Sequence, residues 1–359
     1  MNAAPRTVTD WRELYRTRGP GPTAEAWLLR LAAVSPAVQR AALCGLPDTR
    51  TLTRRFEVAW ESRDRPLAGV PYLAKDLFAE RGARIGAGST FLADRLAPAD
   101  KDASLLAAFR DDAGAVLCGK TQLNEFAFGL SGENPHFGDC PHPRRADRLS
   151  GGSSSGSAWA VGAGLVPSAL ATDTVGSIRI PADVLEALRR EALRQGATKD
   201  RDAAAWLLEQ LRGNAEAYPV LGGHAAAQVH ARWMESHGGD YDPVVLARLI
   251  AGRNRNEAEL ASASKVRDRV TAAFRELFAS GWDAVALPCT AGTALPKVAH
   301  DARLRARLLA LNAPASLAGL GALALPVATG DEGLTAGLQL VARDADVLRT
   351  LVGNAAANS

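Results

Sequence analysis

The sequence is short of several things that would decide its class at once. No stretch reaches the ~18 consecutive apolar residues that a membrane-crossing helix requires. Net charge is small, +3 from 42 Lys+Arg against 39 Asp+Glu, which gives no reason to expect a nucleic-acid or membrane partner. Cysteine is scarce: Cys44, Cys118, Cys140 and Cys289 lie far apart, with no Cys-x-x-Cys pair. That argues against a disulfide frame or a zinc site and for the free thiols of a cytoplasmic protein. The N-terminus lacks the basic-then-apolar pattern of a secretion signal, so cytoplasmic residence is the expectation. We find no internal repeat and no interdomain linker.

What is present is an ordinary globular composition, 47% hydrophobic and 23% charged over 359 residues, long enough for one large domain or two small ones. Residues 1–20 are polar and read as an irregular cap. From Thr23 to Leu43 apolar residues recur at helical spacing (Trp27, Leu28, Leu31, Val34), with Pro36 breaking the run. Residues 66–79 read as a turn and a short buried strand that carries Lys75. Ala103 to Asp112 reads as a helix and Ala115 to Cys118 as a second buried strand. Such alternation predicts an α/β fold, a mixed β-sheet core covered by α-helices. Residues 129–157, rich in Gly, Ser, Pro, Asn and Asp, form a long loop, and loops of that length inside a domain are usually functional. Ala158 to Leu165 reads as a buried helix and Ser168 to Thr172 as a strand. Beyond Ala182 the character changes: Asp183 to Tyr218 and Pro243 to Ser280 read as charged amphipathic helices, with Asp183 as an N-cap. Strands return at Trp282 to Pro288, Leu320 to Val327 and Thr335 to Val341, followed by a helix from Asp344 to Ala356.

The segment Gly-Gly-Ser-Ser-Ser-Gly-Ser at 151–157 admits several readings. A flexible linker would not run at once into a buried apolar helix. A phosphate-binding loop needs a Lys before Ser/Thr after its last glycine, and Ser157 follows Gly156 directly. Gly-x-Ser-x-Gly centred on Ser154 could mark a nucleophile elbow, but the residues before it are loop where a strand is required. A fourth reading takes it with two other segments. Residues 172–182 form a second turn with Ser177 at its apex, and the intervening helix and strand can fold back so that Ser153 and Ser177 meet. Lys75 lies upstream among apolar neighbours.

Three stretches resemble the amidase-signature family: Gly-Val-Pro-Tyr-Leu-Ala-Lys-Asp (69–76), Gly-Gly-Ser-Ser-Ser-Gly-Ser-Ala (151–158) and Asp-Thr-Val-Gly-Ser-Ile-Arg-Ile-Pro-Ala (173–182). Residues 119–129 and 133–138 look like the family's connecting loop, and 311–327 and 337–342 like its closing strands. The resemblance covers roughly 66–182 and 282–342. It implies the amidase-signature fold and hydrolysis of a carboxylic amide or a urea-type C–N bond through an acyl-enzyme, with no cofactor and no metal. It further implies Ser177 as nucleophile, Ser153 as proton relay joined through a cis peptide to Gly152, and Lys75 as base.

A serine nucleophile needs an adjacent base, and Lys75 must then be neutral in the resting state. Its apolar neighbours supply the desolvation that favours the uncharged amine, so Asp76 is expected to point away. Backbone N–H groups of Thr174, Val175, Gly176 and Ser177 would form the oxyanion hole, each donor worth about 3 kcal/mol in the transition state. The family commonly has Gly where Val175 stands. Phe128, Gly129 and Leu130 are candidate substrate-binding residues, with Phe126 beside them. Asp173 and Arg179 read as a pair bracing the turn, Glu125 as a loop anchor, and His136 and His142 as solvated loop residues.

The family pattern stops after Ala182, where a Cys-Gly turn, a hydrophobic strand and a Lys-Pro-Thr turn are expected and absent. The chain therefore reads as a single amidase domain over 1–359 with a shortened middle. Its parts are an N-terminal helical region (1–60), a catalytic core with the triad (61–182), a largely helical segment (183–280), and closing strands with a helix (281–359). The expected partner is a small-molecule amide substrate; exposed edges left by the shortening would favour a homo-oligomer. Two other functions stay open: the glutaminase component of a glutamyl-tRNA(Gln) amidotransferase (its A subunit), and a catalytically impaired remnant serving as a scaffold or partner subunit.

Overall fold

The computed structural model describes residues 4–174, 192, 194, 196–198, 200–290, 294, 302–328 and 334–357. The chain forms two compact units, Met1–Thr172 and Asp173–Ser359.

The first unit is built on a mixed sheet of β1 (Leu43–Cys44), β2 (Pro71–Lys75), β3 (Val116–Thr121) and β4 (Ser168–Leu170), in the order β1-β3-β2-β4. Strands β3, β2 and β4 are parallel and β1 is antiparallel to β3. Every residue of β2 is buried, as expected of a central strand covered on both faces. In register, Ala74 faces Lys120 on one side and Leu170 on the other, while Lys75 faces Thr121.

The helices of this unit begin where the sequence supplies caps. Thr7 and Asp10 form a reciprocal capping box before Val8–Arg18, Ser35 caps Pro36–Ala42, and Asp48 caps Thr49–Ala59. The first of these corrects the expectation of an irregular start. Trp11 and Tyr15, one turn apart on one face, are buried in the same core as Trp27, Phe56, Leu73 and Val116, and the Tyr15 hydroxyl donates to the Phe56 carbonyl at 2.6 Å. Two aromatic anchors at i and i+4 outweigh the polar residues around them. The helix Pro20–Ala32 ends before Pro36, as the proline predicts.

The second unit is largely helical. It contains Arg201–Gln210, Asn214–His237, Pro243–Arg253, Glu257–Ala279 and Ala302–Leu317, with an antiparallel sheet β5 (Ala284–Pro288), β7 (Thr335–Ala342) and β6 (Ala322–Ala328) in the order β5-β7-β6, then the helix Ala345–Ala357. Leu207, Val270, Phe274, Leu277 and Val341 share its core. The stretch expected as one helix from Pro243 to Ser280 is two, because Asn256 and Glu259 form a new capping box after Arg253. Residues 311–317, expected among closing strands, complete the helix Ala302–Leu317 instead. Asn312, fully buried there, donates to the Leu308 carbonyl one turn back and to the Cys289 carbonyl. The expected N-cap Asp183 lies outside the described residues.

Candidate active site

Lys75 ends β2 and is fully buried. Its Nζ lies 2.8 Å from Ser153 Oγ, 2.9 Å from Ser154 Oγ and 2.7 Å from Thr172 Oγ1. As an ammonium it donates to all three; as a neutral amine it donates to two and accepts from one. The direction is partly fixed, because the Ser154 hydroxyl donates to the Thr172 carbonyl at 3.0 Å. Its single proton is thereby used, so Ser154 accepts from Lys75. In the neutral state the nitrogen lone pair is left for Ser153 or Thr172, and a Ser153 hydroxyl aimed at that lone pair can pass its proton to it.

Ser153 is fully buried, and the peptide joining it to Gly152 is cis. Its carbonyl accepts from Asn124 N at 3.3 Å. The Asn124 side chain in turn accepts from Gly132 N at 3.1 Å and donates to the Glu133 carbonyl. A Cβ at Gly152 would lie 2.1 Å from Asn124 Oδ1, and one at Gly129 would lie 2.3 Å from the same side chain. Glycine is required at both places by this close approach. Asn134 braces the loop further, donating to the carbonyls of Gly88 (2.9 Å) and Leu123 (2.8 Å) and accepting from the amides of His136 and Phe137.

Of the candidate substrate-binding residues, Leu130 is buried and its carbonyl accepts from Gly152 N, while Phe128 and Gly129 are half-buried on the same loop. Phe126 and Ala127 take left-handed backbone angles (φ 51° and 60°), unusual for non-glycine residues, and the Phe126 ring packs on Phe91. Of the expected oxyanion-hole residues, Thr174 is exposed. Val175, Gly176, Ser177 and Arg179 lie outside the described residues.

Two histidine readings change. His136 is not a solvated loop residue: its Nε2 meets Glu125 Oε1 at 3.0 Å, and Glu125 is buried. His142 is half-buried, and burial together with Arg144, Arg145 and Arg148 pushes its pKa down. Asp76 is held by Lys120, whose Nζ donates to Oδ1 at 3.0 Å, and by the amides of Gly86 (2.8 Å) and Ala87 (3.1 Å) on Oδ2. The sequence reading missed Thr172, Asn124 and Asn134, and missed Ser154 as a partner of Lys75. Only the serine-rich motif and the polar loop hinted at them.

Among the described residues no group of three His, Cys, Asp or Glu side chains could hold a metal ion, and no helix is long and apolar enough to cross a membrane. None of the four cysteines is in a disulfide, and burial raises the pKa of Cys44, Cys118 and Cys140.

The Amidase family model matches residues 23–185 and 203–348. The chain belongs to the amidase-signature family. The match breaks after 185, close to where the sequence departs from the family pattern. Among curated amidase relatives, the A subunit of the glutamyl-tRNA(Gln) amidotransferase of Acidothermus cellulolyticus is 44% identical over 161 residues, 44% of this chain and 31% of that protein. The alignment with that relative thus spans under a third of its length. A crystal structure of an amidase superposes with a TM-score of 0.75 at 26% identity, covering 96% of this chain and 97% of that one. An allophanate hydrolase from Kluyveromyces lactis shares the fold, with a TM-score of 0.78 at 21% identity over 96% of this chain and 71% of that one.

Proposed function

We propose that this amidase hydrolyses a carboxylic amide or a urea-type C–N bond through an acyl-enzyme on Ser177. The observation that carries the reading is the 2.8 Å approach of the buried Lys75 amine to Ser153 Oγ. Neutral Lys75 takes the Ser153 proton while Ser153 takes that of Ser177, so the Ser177 oxygen attacks the carbonyl as its proton moves inward. Backbone amides of Thr174, Val175, Gly176 and Ser177 receive the oxyanion. The proton returns through Ser153 to the departing nitrogen as the C–N bond breaks, and water enters by the same route to release the acid. Phe128, Gly129 and Leu130 line the acyl side. The reading requires both units to act as one amidase domain over 1–359, on a small-molecule substrate in the cytoplasm and without a cofactor.

The similarity of 161 residues of the chain to the A subunit of a glutamyl-tRNA(Gln) amidotransferase supports a second reading, in which glutamine is the amide and ammonia passes to a partner protein. Intact-mass detection of acyl-enzyme across short amides, aryl amides, glutamine and ureas separates the two. An adduct from simple amides or ureas supports the first reading and one from glutamine alone the second. No adduct from any of them would overturn both and favour a scaffold.

A further inference from the structure

We propose that Lys120 is a positioning residue whose ammonium cancels the charge of Asp76 and so lets the neighbouring Lys75 act as a neutral base. The inference deepens the proposed mechanism and rests on it.

Asp76 directly follows Lys75, and both are buried, Asp76 being only 7% exposed. In such surroundings a neighbouring carboxylate favours the protonated amine strongly, because little water screens the pair. A catalytic lysine followed by a buried aspartate is therefore self-defeating unless that negative charge is met elsewhere. Lys120 meets it. β3 pairs with β2 so that Lys120 stands opposite Ala74, and its side chain, 3% exposed, reaches past the strand end to Asp76 Oδ1 at 3.0 Å. The other carboxylate oxygen takes two backbone N–H groups, from Gly86 and Ala87. The carboxylate is thus bound by one full charge and two dipoles that do not belong to Lys75, whose nitrogen lies among the hydroxyls of Ser153, Ser154 and Thr172.

The surrounding charges do not duplicate this pairing. Glu125 lies against His136, and Glu80 pairs with Arg55. Arg84 is exposed, as is Asp173, the residue after Thr172. Cys44 on β1 is held as the neutral thiol by burial. The Asp76 carboxylate has a second structural consequence. Ala87, which donates to it, accepts in turn from the amide of Phe126 at 2.8 Å, so the same carboxylate links the base strand to the loop bearing Phe128 and Gly129.

The test is the position of the alkaline-rising limb of kcat/KM in a charge cycle on the full chain. Lys120→Met leaves Asp76 uncompensated and should move the limb up by about one pH unit or more. Asp76→Asn leaves Lys120 alone and should move it down by a similar amount. The double variant should restore it towards the wild-type position, and Lys120→Arg, which keeps the charge, should leave it in place. A purely structural role would lower kcat in both single variants without moving the limb, and that result overturns the proposal. If Lys120→Met does not fold, Asp76→Asn against the double variant decides alone. Absence of any Lys75-dependent limb in the wild-type protein would instead overturn the proposed mechanism, a distinct outcome.

Discussion

The two compact units carry unequal amounts of chemistry. In Met1–Thr172 a buried lysine, three hydroxyls, a compensated carboxylate and two asparagine hubs are tied together by hydrogen bonds across four strands and a long loop. In the described part of Asp173–Ser359 the helices are conventional, with side-chain N-caps at Asp200, Asp242 and Asn256, amphipathic faces and a small antiparallel sheet. The contrast teaches where specificity is stored. The first unit tolerates little change, since even a methyl at Gly152 meets Asn124. In the second, the helix ends follow from local capping and the packing from apolar faces. The family match is interrupted between 185 and 203, in the second unit and not in the first.

The largest expected effects lie in the triad. Ser177→Ala should bring hydrolysis to background and abolish fluorophosphonate labelling, whereas Ser153→Ala should label slowly because only the relay is cut. Equal residual labelling would transfer the nucleophile to Ser153 or Ser154. Lys75→Ala should lower kcat/KM by orders of magnitude and remove its rising pH limb, because the neutral amine is the active form and its population grows with pH. A limb that survives in Lys75→Ala and disappears on substitution of His136 would point to a histidine base.

A smaller effect separates the units by stability. Gly152→Ala should destabilise the protein by about 1–3 kcal/mol, since the added carbon forces Asn124 or its loop to move. Chemical denaturation measures it, and an unchanged midpoint would show that the loop yields freely. The shortened middle should leave exposed edges that weaken turnover and promote self-association, visible by size-exclusion chromatography with light scattering; a monomer with brisk turnover would contradict this. The smallest effect concerns His230, buried against Tyr241 at 2.9 Å, with its pKa lowered by desolvation. A lowered folded-state pKa gives stability that is present above the ordinary value of about 6.5 and lost as pH falls. Tm should therefore drop between pH 8 and pH 5, and drop less in His230→Gln.

The sequence made much of the first unit legible, because the chemistry there is local. Lys75 on a buried strand, the serine-glycine turn and the orientation of Asp76 all followed from neighbouring residues and from what a neutral base demands. Thr172 and Ser154 were not legible as partners of Lys75, because that meeting depends on how β4 returns beside β2, a long-range event. Trp11 and Tyr15 were missed because polar neighbours masked a two-residue aromatic face. The helix Ala302–Leu317 was hidden by Pro314 and by similarity to closing strands, which begin only at Ala322. In the second unit, apolar period and capping residues were enough to find helices before Tyr218 and after Pro243 but not to divide them, and residues 219–237 of the helix Asn214–His237 were not read as helical.

The lysine and serines of the first unit are proposed to activate Ser177. Peptide mapping of the protein after fluorophosphonate treatment tests this most directly. One adduct is expected, on Ser177, formed quickly in the wild-type protein and slowly in Lys75→Ala; an adduct on Ser153 or Ser154, or labelling indifferent to Lys75, would refute the proposed activation.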